Sequence, residues 1–206
     1  MRRVLTAVIC AILLLAVLPA RADDFGSWHF IQATKSLGSS GAYLGFRAEY
    51  RDCNHFSATE RWFLRPIVGY RFTPWLKGEV MYDFMRKPGD VQIHQALAGL
   101  TATLRQGPLA VSLRERYQYS WNATAGTARH YLRSYLKTAY AIPDSRFTPY
   151  LAVELFTWDD WVKTRHYAGC SLRLSAQCAL EVSYLYHTFA SQEASHILGL
   201  GCYIAL

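Results

Sequence analysis

The segment from Tyr150 to His187 contains three runs in which apolar and polar residues alternate. Each run is about as long as a tilted strand needs to cross a bilayer, ~9–11 residues. In the third run, Leu180, Val182, Tyr184 and Tyr186 oppose Glu181, Ser183, Leu185 and His187. A period of two indicates β-strands. A soluble sheet can show the same alternation, so the rest of the chain must decide which solvent meets the apolar face.

The first 22 residues have the features of a targeting segment. Arg2 and Arg3 precede an apolar stretch, and Ala20-Arg21-Ala22 has the small-x-small form of a cleavage site. We predict a signal peptide over 1–22 and one mature domain over 23–206, since the apolar stretch is short for a membrane anchor. Loss of three arginines and no acids lowers the formal charge from +7 to +4, which gives no support for binding nucleic acid.

Eleven alternating runs follow along the mature chain. They are Trp28–Lys35, Gly41–Arg51, Arg61–Phe72, Leu76–Phe84, Val91–Arg105, Leu109–Trp121, His130–Ile142, Tyr150–Thr157, Lys163–Leu174, the run around Leu180–His187, and Ser195–Leu206. Tight turns such as Thr73-Pro74 alternate with longer polar loops such as 52–60, as in outer-membrane barrels. The abundant aromatic residues and the strand lengths favour this class over a soluble lipocalin-like barrel, although periodicity alone cannot separate the two.

The number of runs conflicts with the even strand number that is normal for single-chain bacterial barrels. We therefore predict an all-β, antiparallel transmembrane barrel of about 10–12 strands. Either the Trp28 run lies inside or beside ten strands, or a twelfth strand is hidden in the sequence. Pro66 suggests a bulge or an edge. Glu115 falls on the apolar face, where a bulge could re-aim it.

Charged residues occupy the other face of nearly every run, which predicts a charged lumen. The candidate network is Arg47, Glu49, Arg65, Arg71, Glu79, Arg114, Arg116, Arg133, Lys137, Glu154, Arg165, Arg173 and Glu181. Glu154 is the expected central acid, with Arg133 and Lys137 on one side and Arg165 and Arg173 on the other. Paired charges would fill a narrow lumen. The excess of basic residues allows the alternative of an anion-selective constriction.

Three other groups of residues are candidate sites. The histidines at positions 29, 55, 94, 130, 166, 187 and 196 all fall near outer strand ends, but without metal-ligand spacing. A lipid-modifying enzyme could use His166 or His187 with Ser183 or Ser195, but no Gly-x-Ser-x-Gly motif occurs. We expect Cys53, Cys170, Cys178 and Cys202 to be free thiols, Cys178 and Cys202 being the one pair worth testing. We predict no catalytic residue, metal or cofactor.

Several short motifs resemble an uncharacterised family of bacterial outer-membrane β-barrels, catalogued as domain of unknown function 2490. They are Glu154-Leu155-Phe156, Arg165-x-Tyr167-Ala168-Gly169 and Leu180-Glu181-x-x-Tyr184, with Trp28, Tyr70, Arg114-Glu115-Arg116-Tyr117 and Arg133 earlier in the chain. The resemblance covers nearly all of the mature chain. It implies a barrel in the outer membrane, but no established activity and no catalytic residue.

The function that these features favour is a structural or surface-binding barrel with a charged, largely filled lumen. The alternative is a narrow anion-preferring channel, followed by a lipid-modifying enzyme. The expected surroundings are outer-membrane lipid and lipopolysaccharide, with the barrel-assembly machinery needed during insertion. The barrel is expected to be monomeric.

Overall fold

A computed structural model describes residues 24–158, 160–190 and 194–206, so the predicted signal peptide lies outside the described residues. The described chain forms eleven strands. They are β1 (Asp24–Ser36), β2 (Ala42–Cys53), β3 (Ala58–Arg71), β4 (Leu76–Lys87), β5 (Val91–Gln106), β6 (Leu109–Asn122), β7 (Thr127–Tyr140), β8 (Phe147–Trp158), β9 (Asp160–Arg173), β10 (Cys178–Phe189) and β11 (Ser195–Ala205). No described helix is long and apolar enough to cross a membrane.

The strands close into a barrel in which chain neighbours pair antiparallel and β1 pairs with β11 in parallel. The fold class is confirmed, and so is the count of eleven runs. The expectation that the strand number is ten or twelve is wrong. With eleven strands, β1 and β11 run in the same direction, and a parallel ladder from Asp24↔Ser195 to Thr34↔Ala205 joins them. A parallel ladder forms evenly spaced hydrogen bonds, so an odd number of strands does not prevent closure.

The exterior of the barrel is apolar at mid-height and aromatic towards both rims. We call the end at which β1 begins the upper end, and the opposite end the lower end. Exposed Trp62, Trp121 and Trp158 lie towards the upper end, and Tyr70 and Phe147 towards the lower end. An apolar band between two aromatic girdles is typical of a barrel whose exterior meets lipid.

Three local predictions fail. Short lower turns and longer upper loops are not observed throughout, since the lower connection at 141–146 is longer than any upper connection. The upper connections are short because the strands extend into residues predicted to be loops, such as 52–60. Pro66 causes no register shift; it pairs with Phe46 and only interrupts the β3–β4 ladder, since proline lacks an N–H. No bulge turns Glu115 inward either: its ladders to β5 and β7 keep their register, and the side chain stays outward and exposed.

The lumen contains apolar clusters as well as charges. Tyr43, Ile67, Met81 and Leu97 form one buried cluster, and Trp28, Leu185 and Ile197 form another. Inward aromatic rings also lie over glycines of the neighbouring strand. At the closure, the Phe30 ring of β1 occupies the space that a side chain at Gly201 of β11 would need.

Replacing Gly201 with Ala should therefore destabilise the closure of the barrel. The added Cβ would overlap the Phe30 ring, and overpacking of this kind typically costs ~1–3 kcal/mol. Urea unfolding in lipid vesicles would measure the change. Phe30→Leu combined with Gly201→Ala should recover part of the loss. Equal stability of Gly201→Ala and the unmodified chain would show that β1 and β11 do not pack in this way.

Candidate functional site: the charged lumen

The lumen contains a cavity of about 180 Å³. Its walls carry more cations than carboxylates. The cations are Arg47, Arg51, Arg61, Arg65, Arg114, Arg116, Arg133, Lys163 and Arg165, and the carboxylates are Glu49, Asp83, Glu154 and Glu181. Alternate side chains of every strand point inward, so charged residues from several strands lie at the same height in the lumen.

Glu154 of β8 is the centre of the largest ion-pair group. Its side chain belongs to a residue only 1% exposed, and it accepts hydrogen bonds from cations of three strands. Arg133 Nη2 lies 2.7 Å from Oε1, Arg114 Nη2 lies 3.0 Å from the same oxygen, and Arg165 Nη1 lies 3.3 Å from Oε2. The Tyr167 hydroxyl donates to Oε2 at 3.0 Å. Both carboxylate oxygens are thus satisfied.

Two smaller groups hold the other buried acids. Asp83, with no exposed surface, accepts two parallel bonds from Arg65, at 2.5 Å from Nε and 2.7 Å from Nη2. Such bidentate pairs fix orientation as well as charge. Glu49 lies between Arg47 and Arg51. These two guanidinium groups also cover aromatic faces, with Arg51 3.7 Å from the Trp28 ring centroid.

Two lumen cations lack a close carboxylate among the described residues. Arg116 is 5% exposed, its nearest carboxylate oxygen is 4.0 Å away on Glu79, and its buried Nε has no hydrogen-bond partner. Lys163 forms no ion pair there and lies 4.4 Å from the Phe156 ring centroid. A buried cation without a counter-ion is costly, so the cavity is suited to an anionic solute.

The structure places the predicted network in two groups. Nine members line the cavity: Arg47, Glu49, Arg65, Arg114, Arg116, Arg133, Glu154, Arg165 and Glu181. Outside it, Glu79 binds Lys77 at 2.9 Å, while Lys137 reaches Glu181 at 3.7 Å. Arg71 and Arg173 are exposed at the lower end.

For Glu154, the expected contacts with Arg133 and Arg165 are present. The contacts expected with Lys137 and Arg173 are not, because both residues lie closer to the lower end. The sequence analysis missed Lys163 as a lumen cation. Its position in the alternation of β9, two residues before Arg165, could have identified it.

Histidines lie around the upper end, mostly on the exterior. The ring nitrogens Nδ1 of His94, His130 and His196 form hydrogen bonds with tyrosine hydroxyls of the preceding strand. His187 faces the lumen, where Arg165 Nε donates to its Nε2 at 3.4 Å. The described residues include no group of three side chains that could hold a metal ion.

The serine–histidine pairs do not have the geometry of a nucleophile and its base. Ser195 lies opposite His187 in the β10–β11 ladder, but no hydrogen bond joins their described side chains. A different serine, Ser27, lies on the exterior with its Oγ 2.5 Å from both His29 Nε2 and Asp52 Oδ2. The serine therefore sits between the other two groups, whereas acyl transfer needs the imidazole in the middle.

The four described cysteines are free thiols. Cys178 and Cys202 share the exterior face near the lower end of the β10–β11 hairpin. They are diagonal neighbours, because Leu180 is the residue directly opposite Cys202. Diagonal positions are farther apart than directly opposed ones, but the two thiols are close enough to interact, so this remains the pair to test for a disulfide.

Comparison with solved structures shows barrels of similar fold. A KdgM porin superimposes with a TM-score of 0.55 at 12% identity, over 87% of this chain and 98% of that chain. A KdgM porin in complex with disordered oligogalacturonate gives 0.55 at 13%, over 87% and 98%. A NanC porin gives 0.52 at 13%, over 89% and 99%. No curated protein matches the chain.

At such low identity these matches describe the fold alone. The sequence itself matches one family across residues 25–196, which extends from β1 into β11. This range includes all the charged residues of the lumen cavity. The chain therefore belongs to the family described as Protein of unknown function (DUF2490).

Proposed function

We propose that the protein is an outer-membrane barrel that acts as a narrow, anion-preferring channel. The surplus of cations around the cavity, above all the poorly compensated Arg116, is the observation that supports this function. Rings of Arg and Lys favour anions in pores. In this proposal, residues 1–22 are removed on export, the lower end faces the periplasm, and the exterior contacts outer-membrane lipid and lipopolysaccharide after insertion by the barrel-assembly machinery.

The solute class that fits this lumen is a small carboxylated molecule. Guanidinium groups bind carboxylates through two parallel bonds, and aromatic rings such as Trp28 and Phe156 offer apolar faces beside them. One of the similar porins is a complex with oligogalacturonate, whose sugar units carry carboxylates.

Conductance in a planar lipid bilayer tests the proposal. With a KCl gradient across the bilayer, we expect discrete openings and a reversal potential shifted towards the chloride equilibrium potential. Galacturonate added to one side should reduce the current. Absence of discrete openings would contradict the channel.

The Arg116→Gln variant should move the reversal potential towards zero, because it removes a buried lumen cation whose nearest carboxylate oxygen is 4.0 Å away. Arg173→Gln is the matched control, since Arg173 lies exposed at the lower end and should leave selectivity nearly unchanged. Equal effects of the two substitutions would show that the cavity does not determine selectivity.

A closed structural barrel is the second candidate. The observation that favours it is the density of the lumen, where the Glu154 group and the cluster around Leu97 leave little open space. This candidate predicts a folded, stable barrel without discrete conductance. The same bilayer recording therefore distinguishes the two functions.

A further inference from the structure

Glu115 is an isolated carboxyl group in the middle of the apolar exterior. It is the central outward residue of β6, between exposed Leu113 and Tyr117. Among the described residues, the other charged side chains on the outer face lie within three residues of a strand end. A charged or polar group at this height faces the hydrocarbon of the bilayer, where a missing partner is costly.

A single neighbour satisfies part of this group. Ser134, directly opposite Glu115 on β7, donates its hydroxyl to Oε2 at 2.7 Å. No other described residue forms a hydrogen bond to the Glu115 side chain, so Oε1 has no donor within the barrel. One of the two Glu115 carboxyl oxygens therefore lacks a hydrogen-bond partner, and the bilayer interior offers none.

The surface beside this pair is concave. Glu115 lines a groove of about 640 Å³ that runs across β3 to β7. Ala98 lies on its floor, the Phe72 and Leu100 side chains cover Gly78, and its walls include Val68 and Val80, exposed by 60% and 62%. The small side chain of Ala98 allows another protein surface to approach the strands closely there.

We propose that this face joins two copies of the chain in the membrane, related by a two-fold axis that passes beside Glu115 and Ser134. A two-fold contact uses the same surface patch on both copies, so a group beside the axis meets its own counterpart. A polar group there must therefore be able to form hydrogen bonds with an identical group. A carboxylic acid group can both donate and accept a hydrogen bond, so two such groups can satisfy each other across the axis. The Glu115 of a second copy therefore supplies the missing donor.

The same axis matches the shape of the two surfaces. The groove on the β4–β5 side of one copy then lies against the β8 side of the other copy. There the exposed Leu151 and Leu155 project from the wall and can fill the groove above Ala98. An acyl chain could fill the groove but has no donor for the carboxyl group. The proposed dimer differs from the monomer that the sequence predicts, and subunit counting decides between them.

Subunit counting in lipid vesicles tests the proposal. Protein labelled at its N-terminus is reconstituted at decreasing protein-to-lipid ratio, and photobleaching steps are counted for single particles. Two-step traces should dominate for the unmodified chain. Glu115→Leu and Ala98→Trp should give single steps at the same ratio, whereas Glu115→Gln, which keeps a donor and an acceptor, should retain two-step traces.

A second exterior groove provides the control. It has about 600 Å³ and lies between Ile31, Ala48 and Leu200, with no outward carboxyl group. Ala48→Trp fills it and should leave the two-step traces unchanged. Heat-modifiable migration in gels checks that each variant is folded. Single steps for the unmodified chain at the highest ratio, retained dimers in Glu115→Leu, or equal loss in Ala48→Trp would each overturn the proposal.

Discussion

Replacing Glu154 with Gln is expected to lower the free energy of unfolding of the barrel by ~3–5 kcal/mol, as is typical when one partner of a buried ion pair is removed. The carboxylate holds Arg114, Arg133 and Arg165 together in a space almost closed to solvent. A neutral amide would leave three guanidinium groups facing one another. Urea unfolding in lipid vesicles measures the difference.

Glu181→Gln is the matched control, because Glu181 also faces the lumen but has one described ion-pair partner, Lys137 at 3.7 Å. The loss of unfolding free energy in Glu181→Gln should be clearly smaller than in Glu154→Gln. Arg133→Gln added to Glu154→Gln should restore part of the stability, with a coupling energy of ~0.5–3 kcal/mol. Arg133 is the better choice than Arg165 for this cycle, since two of its nitrogens donate to the carboxylate. Zero coupling would mean that water screens the lumen.

The strands could be predicted because alternation is a local property of the chain. The starts of β4 at Leu76, β6 at Leu109 and β11 at Ser195 agree with the sequence pattern to the residue. β4 and β6 begin directly after turn residues that break the alternation. The upper ends of β3, β4 and β7 could not be predicted, because strands that extend beyond the membrane become polar on both faces while their backbone pairing continues.

The inward direction of the charged residues could be predicted, but their pairing could not. Alternation states which face a side chain takes, whereas pairing depends on the tilt and width of the closed barrel. Arg114 of β6 reaches Glu154 of β8, two strands away. Lys137 of β7 reaches Glu181 of β10 across the lumen. Long side chains therefore form contacts that neighbouring-strand reasoning does not include.

The parallel closure was excluded by a rule about other barrels rather than by a feature of this chain. The Trp28 run has the length and alternation of its neighbours, and Gly199 and Gly201 of β11 lie in the ladder opposite it. Gly201 leaves space for the inward ring of Phe30, and Gly199 leaves space for the Ser183 side chain of β10. The sequence of β1 is thus compatible with a strand of the barrel wall.

Replacing Val182 with Arg is expected to cost ~2–4 kcal/mol, the range for a cation on the lipid face near the bilayer midplane. Val182 points outward at the centre of β10 and is 51% exposed, so the guanidinium group would enter hydrocarbon. Val182→Leu controls for the change in size and should be nearly neutral. Thr188→Arg, on the same strand near the upper end, should cost only ~0–1 kcal/mol, because the penalty falls towards the interface. Folding into lipid vesicles, measured by urea titration, gives all three values. A harmless Val182→Arg would show that this face meets water, and the interpretation as a soluble barrel would then replace the membrane barrel.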